Sequence, residues 1–276
     1  MKSLSNLHTH TLYCDGKNTP EEYIKKAIEK GFVSIGFSGH SYLDFGEEWY
    51  MGIEGTAEYI KEVKALKEKY AGIIEVYLGL ETDYYSNLNK NSKKDLGLDY
   101  IIGSLHYVKN EETGEYFSVD ESPEITEMGM MKCGGTKEYI KSYYETLVKM
   151  IYEQEPDIIG HLDLVKKFNG GNRFFNEEDS WYREIITDTL EKIRKTKSII
   201  EVNTGGMSRG WTDSPYPSKF ILEEILEKKI PLILNSDTHS VDTIDYYFEE
   251  SEEILKKVGF KNLMILKNGK FQEYSL

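Results

Sequence analysis

Histidine is the residue type whose distribution in this chain most strongly indicates chemistry. The 276-residue sequence contains six histidines, and each lies at or just beyond the end of a short apolar run, never inside a long helix-like stretch. His8 and His10 are two residues apart, so on extended backbone both side chains point the same way and can bind one ion. Imidazoles gathered in this way indicate a metal centre. The six are His8, His10, His40, His106, His161 and His239.

Three carboxylates are the best placed to join these histidines: Asp15, Glu81 and Asp237. The nine side chains are too many donors for one ion and enough for three, with open positions left for water and substrate. Imidazole and carboxylate ligands favour Zn²⁺, Mn²⁺ or Fe²⁺. The two cysteines, Cys14 and Cys133, lie in unrelated contexts, which argues against a cysteine-type zinc site and a disulfide framework. The sequence therefore predicts a cofactor of about two to three divalent transition metals.

Short apolar runs alternate with amphipathic, charge-rich stretches along nearly the whole chain, a pattern that predicts an α/β protein with a parallel sheet. Seven strands are predicted, at residues 5–8, 34–38, 73–80, 100–104, 158–160, 199–202 and 232–235. Helices are predicted at residues 20–30, 57–69, 137–154, 177–195, 219–228 and 242–256. Each strand ends on a polar side chain, and the carboxyl ends of barrel strands meet on one face. We therefore expect a TIM-like barrel of seven strands, in a single domain spanning residues 1–276.

Two further segments have their own patterns. Residues 107–135 contain several glycines, a methionine-rich patch and scattered acids without clear periodicity, which predicts an irregular loop that acts as a lid over the site. Residues 261–274 surround the turn Asn268-Gly269 and predict a C-terminal β-hairpin.

The charge balance argues against a nucleic-acid partner. Aspartate and glutamate number 48 against 34 lysines and arginines, a net charge of −14, whereas affinity for a phosphate backbone depends on basic side chains. No stretch approaches about 18 consecutive apolar residues, so no membrane span is predicted. The N-terminal Met1-Lys2-Ser3-Leu4 runs directly into the histidine motif and leaves no room for a signal peptide, which predicts a cytoplasmic protein. The sequence does not predict an oligomeric state.

Six motifs resemble those of the PHP (polymerase and histidinol phosphatase) superfamily. They are His8-Thr9-His10 with Asp15-Gly16, Ser38-Gly39-His40-Ser41, Gly79-Leu80-Glu81, Gly103-Ser104-Leu105-His106, Gly160-His161-Leu162-Asp163 and Asn235-Ser236-Asp237-Thr238-His239. The run Asp-Ile-Ile-Gly-His-Leu-Asp-Leu-Val-Lys-Lys-Phe-Asn at residues 157–169 is similar to the monofunctional histidinol-phosphate phosphatase branch in particular. The resemblance extends from residue 4 to about residue 240.

This resemblance implies a distorted seven-stranded (β/α) barrel with a trinuclear metal centre. One ion would be held by His8, His10, Glu81 and Asp237, a second by Glu81, His106 and His161, and a third by Asp15, His40 and His239. Neighbouring ions lower the pKa of a shared water, so that hydroxide can attack phosphorus near neutral pH, and the ions also offset charge on the phosphate oxygens. Asp237, His239 or a water could protonate the departing alcohol.

The same resemblance implies L-histidinol phosphate as substrate and a role in histidine biosynthesis. The phosphate dianion favours fixed cations, for which Arg209 and Lys166 are the candidates and Arg173 a weaker one. The cationic leaving group would suit acidic and aromatic side chains, and the candidates on loops of the expected face are Tyr42, Asp44, Phe117 and Asp120. Asp163 could orient His161 or cap a helix. Hydrolysis of another small phosphomonoester, a nuclease and a non-catalytic metal-binding module stay open as alternatives.

Overall fold

The computed structural model describes residues 4–46 and 49–276, and strands and helices alternate along them. The strands are β1 (Ser5–Asn6), β2 (Ser34–Phe37), β3 (Glu75–Asp83), β4 (Tyr100–Ser104), β5 (Tyr107–Lys109), β6 (Tyr116–Ser118), β7 (Ile158–Ile159), β8 (Ile199–Asn203), β9 (Leu232–Asn235), β10 (Asn262–Lys267) and β11 (Lys270–Ser275). The helices are α1 (Pro20–Glu29), α2 (Ile53–Lys69), α3 (Ser92–Leu96), α4 (Pro123–Lys132), α5 (Thr136–Gln154), α6 (Ser180–Ile193), α7 (Gly205–Ser208), α8 (Lys219–Lys228) and α9 (Phe248–Val258). Short 3₁₀ turns occur at Leu164–Lys166, Gly170–Asn172 and Val241–Thr243.

Seven of these strands form a parallel barrel. Their order is β1, β2, β3, β4, β7, β8, β9, and each neighbouring pair in this series is parallel. The barrel closes just beyond β1 and β9, where Thr9 and Thr238 form a parallel bridge. There the His10 amide donates to the Thr238 carbonyl at 2.9 Å, and the Thr238 amide donates to the His8 carbonyl at 3.1 Å. The predicted seven-stranded, TIM-like α/β fold is therefore confirmed.

The predicted C-terminal hairpin is also present and packs against the barrel interior. Antiparallel β10 and β11 are joined at Asn268-Gly269, and β10 is parallel to β9. Leu266 belongs to a buried cluster with barrel residues such as Leu7 and Tyr100. Burial of this apolar surface stabilises the barrel at the end remote from the carboxyl ends of its strands.

The segment at residues 107–135 was predicted to be irregular, and this prediction was wrong. It folds into the β5–β6 hairpin followed by α4. Helix α4 begins after Ser122, whose hydroxyl accepts from the Ile125 amide at 3.2 Å, with Pro123 at the first helical position. Two adjacent glycines, Gly134 and Gly135, adopt positive φ between α4 and α5. The segment is thus an ordered part of the wall of the barrel's open end.

Helix boundaries differ from the predicted ones mainly in α2 and α9. Helix α2 begins at Ile53, four residues before the predicted start, and α9 begins at Phe248, because residues 241–243 form a separate 3₁₀ turn. Helix α1 begins with a capping box, in which the Thr19 amide donates to Glu22 at 2.8 Å and the Glu22 amide donates to the Thr19 hydroxyl at 3.3 Å. Within the described ranges, no helix is long and apolar enough to cross a membrane.

Candidate active site

All six histidines lie at the carboxyl-end face of the barrel. The bridge between Thr9 and Thr238 places His8 and His10 on one side of a closed ladder and Asp237 and His239 on the other. A second bridge, between His40 and Glu81, continues the pairing of β2 with β3. Parallel strands bring their carboxyl ends to the same edge, so ligands distant in sequence become neighbours.

Glu81 is at the centre of the cluster and is fully buried. Its two oxygens approach the ring nitrogens of five histidines, at 3.3 Å for His8, 3.4 Å for His10, 3.0 Å for His40, 3.5 Å for His106 and 3.0 Å for His161. Ligand atoms that bind one tetrahedral ion at about 2.0–2.1 Å lie about 3.3 Å from each other. The spacing around Glu81 is therefore that of ligands to shared ions.

A second group of donors gathers around Asp15. One Asp15 oxygen lies 3.2 Å from His10 Nδ1, and the other lies 2.9 Å from His239 Nε2. His40 is more distant from this carboxylate, at 3.9 Å, because its other ring nitrogen faces Glu81. Ligand atoms of His10, Asp15, His40 and His239 all lie within 4.8 Å of one another. This group coincides with the ligand set predicted for the third ion, with His10 added.

Asp237 links the cluster to Arg209. Its Oδ1 atom lies 3.3 Å from His10 Nε2 and 3.6 Å from His8 Nε2, and its Oδ2 atom accepts from Arg209 Nη2 at 3.0 Å. Arg209 Nη1 is 2.8 Å from His239 Nδ1, which also lies 3.1 Å from the Asp237 carbonyl. An arginine in contact with these candidate metal ligands is well placed to bind an anion that also contacts metal ions held by the cluster.

Two further carboxylates hold the histidines from behind. His8 Nδ1 lies 2.8 Å from Glu201 Oε1, and His106 Nδ1 lies 3.1 Å from Asp83 Oδ2. Both carboxylates are fully or almost fully buried. Such partners fix the ring orientation and tautomer of a metal-binding histidine. The sequence reasoning did not assign them this role, although a carboxylate on a buried strand needs a partner of this kind.

Two of the residues with strained backbone lie at the same place. His161 and Asp237 have φ angles of 23° and 48°, a region that costs non-glycine residues about 1–3 kcal/mol. Gly205 is required by close approach, since a Cβ atom there would lie 2.6 Å from Asp237 Oδ2 and 2.9 Å from Arg209 Nη2. The surrounding structure therefore holds these side chains in an arrangement that local backbone preference does not favour.

The electrostatics of the cluster are those of a site built for cations. Burial raises the pKa of Glu81, but the facing rings of His40 and His8 lower it by a larger amount. The resulting pKa is well below its ordinary value. Burial lowers the pKa of His106, yet the hydrogen bond to Asp83 raises it to about 9. Burial lowers the pKa values of His8 and His10, but the facing carboxylates raise them by more, so both lie well above the ordinary value and favour protonated rings. Divalent ions bind the same atoms only after those protons leave.

Several donor atoms in the cluster have no hydrogen-bond partner among the described residues, although they are buried. They are His8 Nε2, His10 Nε2, His40 Nδ1, His161 Nδ1 and Glu81 Oε2. A buried polar atom without a partner carries a large desolvation cost. Three of the ring nitrogens face Glu81, so ions bound among them would satisfy these atoms. The residues present thus fit a centre of divalent metals.

The cluster opens into a cavity of about 270 Å³. Its lining combines candidate ligands with cationic, acidic and aromatic side chains: Asp15, His40, Trp49, Glu81, His106, Asp120, Glu121, His161, Leu164, Lys167, Arg209, Trp211, Tyr216, Asp237 and His239. Arg209 and Asp120 are therefore at the cavity, as the sequence predicted. Lys167, Trp49 and Trp211 were not predicted, because no periodicity marks which loop residues face inward.

Lys166 does not line the cavity. Its side chain is buried, and its ammonium lies 2.5 Å from Ser218 Oγ and 3.1 Å from Asp163 Oδ2, over the ring of Tyr216. The 3₁₀ turn at Leu164–Lys166 rotates successive side chains, so that the next residue, Lys167, faces the cavity instead. Asp163 bonds to Ser218 and Lys166 rather than to His161, so the suggestion that it orients His161 was wrong. Asp163 does precede the 3₁₀ turn at the N-cap position, but its side chain makes no capping hydrogen bond there.

Three other candidates for leaving-group contacts lie away from the cavity. Phe117 is 7% exposed and packs in the core, where its ring lies against Gly129, because β6 turns this side chain toward α4. Tyr42 and Asp44 are hydrogen-bonded to each other, and Tyr42 lines a separate apolar groove beside Ile53. Arg173 is exposed and lies 4.0 Å from Glu127. The structure therefore gives no support to Phe117, Tyr42 or Asp44 as substrate contacts.

Residues 6–205 match the family model of the PHP domain. This chain therefore belongs to the PHP family, as its motifs predicted.

Several proteins similar to this chain carry the name histidinol phosphatase. It is 28% identical over 283 residues to a Schizosaccharomyces pombe protein named "probable histidinol-phosphatase", with 95% of this chain and 89% of the relative covered. It is 27% identical over 260 residues to the histidinol-phosphatase of Bacillus subtilis, covering 88% of this chain and 96% of the relative. The crystal structure of a candidate histidinol phosphatase from Listeria monocytogenes superposes with a TM-score of 0.79 at 25% identity, over 90% of this chain and 99% of that one.

Proposed function

We propose that this protein hydrolyses L-histidinol phosphate to L-histidinol and phosphate, in the biosynthesis of histidine. The observation that carries the proposal is the convergence of nine donor side chains, with Glu81 at their centre, in a cavity that also presents Arg209 and Lys167. Cations beside a metal cluster suit a phosphate dianion, and the small cavity suits a small ester. The names of the relatives select the leaving group. A biosynthetic role of this kind would place the enzyme in the cytoplasm.

The proposed ligand sets are those that the family resemblance implies. The first ion would use His8, His10, Glu81 and Asp237, the second Glu81, His106 and His161, and the third Asp15, His40 and His239, with about two to three ions of Zn²⁺, Mn²⁺ or Fe²⁺ per chain. Glu81 Oε1 lies 3.5 Å from His106 and 3.0 Å from His161, which supports the second set, and the donors of the third set lie within 4.8 Å of one another. When bound, divalent ions lower the pKa of water and neutralise charge on phosphate oxygens.

Arg209 would bind the phosphate after a local exchange of hydrogen bonds. Its Nη1 atom now lies 2.8 Å from His239 Nδ1. If His239 binds an ion through Nε2, Nδ1 must carry the proton, and the Asp237 carbonyl at 3.1 Å can accept it. The Nη1 hydrogen that pointed at His239 is then free, while the 3.3 Å contact from Nη1 to the Asp237 carbonyl and the 3.0 Å contact from Nη2 to Asp237 Oδ2 keep the guanidinium in place. The guanidinium can then bind two phosphate oxygens.

Asp237 and His239 are the proposed proton carriers. Burial raises the pKa of Asp237, but the charges of Arg209 and His8 lower it by a larger amount. The carboxylate is therefore ionised and can accept a proton from the attacking water. Burial and the nearby charges of His10 and Arg209 lower the pKa of His239 to about 4, so its ring is neutral near neutral pH. As the bond from phosphorus to the ester oxygen breaks, Asp237 gives the proton that it accepted from the attacking water to that oxygen. His239 can carry this proton instead only when its Nε2 atom binds no ion.

A panel of phosphomonoesters tests the substrate. We expect kcat/KM of metal-reconstituted protein for L-histidinol phosphate to exceed that for ribose 5-phosphate, a nucleoside monophosphate and phosphoserine by about 10²-fold or more, equivalent to roughly 3 kcal/mol of pocket contacts in the transition state. If another monoester is preferred, the biosynthetic role is wrong and a different phosphomonoesterase is indicated. Complete inactivity, including toward para-nitrophenyl phosphate, would indicate a non-catalytic metal-binding module.

A further inference from the structure

An ion pair between Lys167 and Asp120 lines the cavity beside the metal-binding cluster. The Lys167 ammonium donates to the Asp120 backbone carbonyl at 2.6 Å and lies 3.5 Å from Oδ2 of its carboxylate. Lys167 follows the short turn after β7, and Asp120 lies between β6 and α4, so the pair joins two loops of the site. Its side chains are 12% and 27% exposed, respectively.

The Asp120 carboxylate retains capacity for another cation. An ionised carboxylate can accept about four hydrogen bonds. The bonds recorded for this one are a 3.1 Å contact between Oδ1 and Ser118 and the long contact to Lys167. The Lys167 ammonium, in turn, is held most closely by a backbone carbonyl and lies over the rings of Phe168 and Trp211, at 5.4 Å and 5.6 Å from their centroids. Both charges can therefore change partners with little rearrangement of the backbone.

We propose that this pair selects phosphomonoesters that carry an ammonium group close to the ester oxygen. The substrate phosphate draws the Lys167 ammonium toward itself, and the ammonium of the substrate takes the place of Lys167 at the Asp120 carboxylate. The inference rests on the proposed function, because L-histidinol phosphate carries its amine two carbon atoms from the ester oxygen. It adds the chemical basis on which the site would recognise its substrate.

The exchange distinguishes esters with an ammonium group from esters without one, because only the former leave both Lys167 and Asp120 paired with an opposite charge. A substrate with both charges replaces one internal ion pair by two intermolecular pairs. A neutral-tailed ester also attracts Lys167, but it leaves the partly buried Asp120 carboxylate without a cation, which is costly. Selectivity thus comes from a penalty on the wrong ligand as well as from a contact with the right one.

The test compares O-phosphoethanolamine with propyl phosphate, two esters of similar shape that differ in the terminal ammonium. For the wild-type chain loaded with metal, we expect kcat/KM to favour the amine ester by about 10- to 100-fold, the effect of one hydrogen bond between charged groups. Asp120→Asn should remove this preference to within about 3-fold by slowing the amine ester, with propyl phosphate unchanged or faster. Metal content and thermal unfolding of the variant separate this result from misfolding.

Two further variants make the comparison specific. Lys167→Gln should slow both esters and keep the preference for the amine, because Asp120 remains. Glu121→Gln removes the neighbouring carboxylate that also lines the cavity, and the preference should persist. A preference that survives Asp120→Asn, or that is lost in Glu121→Gln, would overturn the inference, as would a wild-type chain that does not distinguish the two esters. The outcome does not depend on histidinol phosphate, so failure of the proposed substrate is detected separately by the ester panel.

Discussion

Glu81→Gln is expected to lower kcat/KM by at least about 10³-fold while the chain still unfolds cooperatively. The carboxylate faces five histidine rings and would join two of the proposed ions, so an amide that keeps the shape removes both a charge and a ligand atom from the centre. Elemental analysis should show fewer ions per chain than in the wild type. Glu81→Ala and His8→Ala should behave in the same way. Full activity in Glu81→Gln would remove Glu81 from the metal centre.

Glu201→Gln is the matched control for this substitution. Glu201 is also a fully buried glutamate beside His8, but it contacts Nδ1 at 2.8 Å rather than the ring nitrogen that faces the cluster. Loss of such an outer partner costs about 10- to 100-fold in metal affinity or activity. The variant should therefore be impaired much less than Glu81→Gln. Equal losses in the two variants would mean that removal of any buried charge disrupts the site.

Arg209→Ala is expected to reduce kcat/KM by about 10²-fold or more, with Arg209→Lys restoring part of the loss. The guanidinium lines the cavity and is oriented by Asp237 at 3.0 Å, so it can present a planar pair of N–H donors on separate nitrogens to a phosphate, a geometry that a lysine ammonium does not offer. Inorganic phosphate, a product of the proposed reaction, should bind more weakly to the alanine variant by a similar factor. Steady-state kinetics with and without phosphate measure both quantities.

Metal content and a surface arginine provide the controls for Arg209. Because Arg209 contacts both Asp237 and His239, elemental analysis must show that the ions are retained in the alanine variant. Arg173→Ala removes an arginine that is 46% exposed and outside the cavity lining, and it should leave the kinetics unchanged. Wild-type kinetics in Arg209→Ala would contradict the assignment of Arg209 as a phosphate-binding residue.

The barrel was predictable from sequence because its signals are local. Apolar runs such as residues 100–104 and 232–235 coincide with β4 and β9. A polar residue at the end of each run is typical of barrel strands, whose carboxyl ends carry the active-site side chains. The ordered fold of residues 107–135 was missed because the short strands β5 and β6 are stabilised by pairing with each other and by packing on α5 and α4, respectively. The hydrophobic periodicity of a few residues does not reveal such contacts.

The candidate ligands were predictable for a similar reason, and the substrate side was not. Six histidines at predicted strand ends can be recognised in the sequence alone. The direction of a loop side chain cannot, because it depends on the backbone conformation of every residue in the loop. Lys166 and Lys167 are adjacent and chemically identical, yet one bonds to Asp163 and Ser218 and the other faces the cavity. The roles of Glu201 and Asp83 likewise follow from tertiary contacts rather than from spacing.

Stoichiometric reconstitution tests most directly whether the activity arises from a centre of several ions. Metal-free protein would be titrated with Zn²⁺, Mn²⁺ or Fe²⁺, and phosphate release from L-histidinol phosphate would be measured against the ions bound per chain by elemental analysis. We expect no activity without metal and a plateau at about two to three bound ions, the number that nine donors can hold with open positions left. Full activity in metal-free protein, or a plateau at a single ion, would contradict the proposed centre.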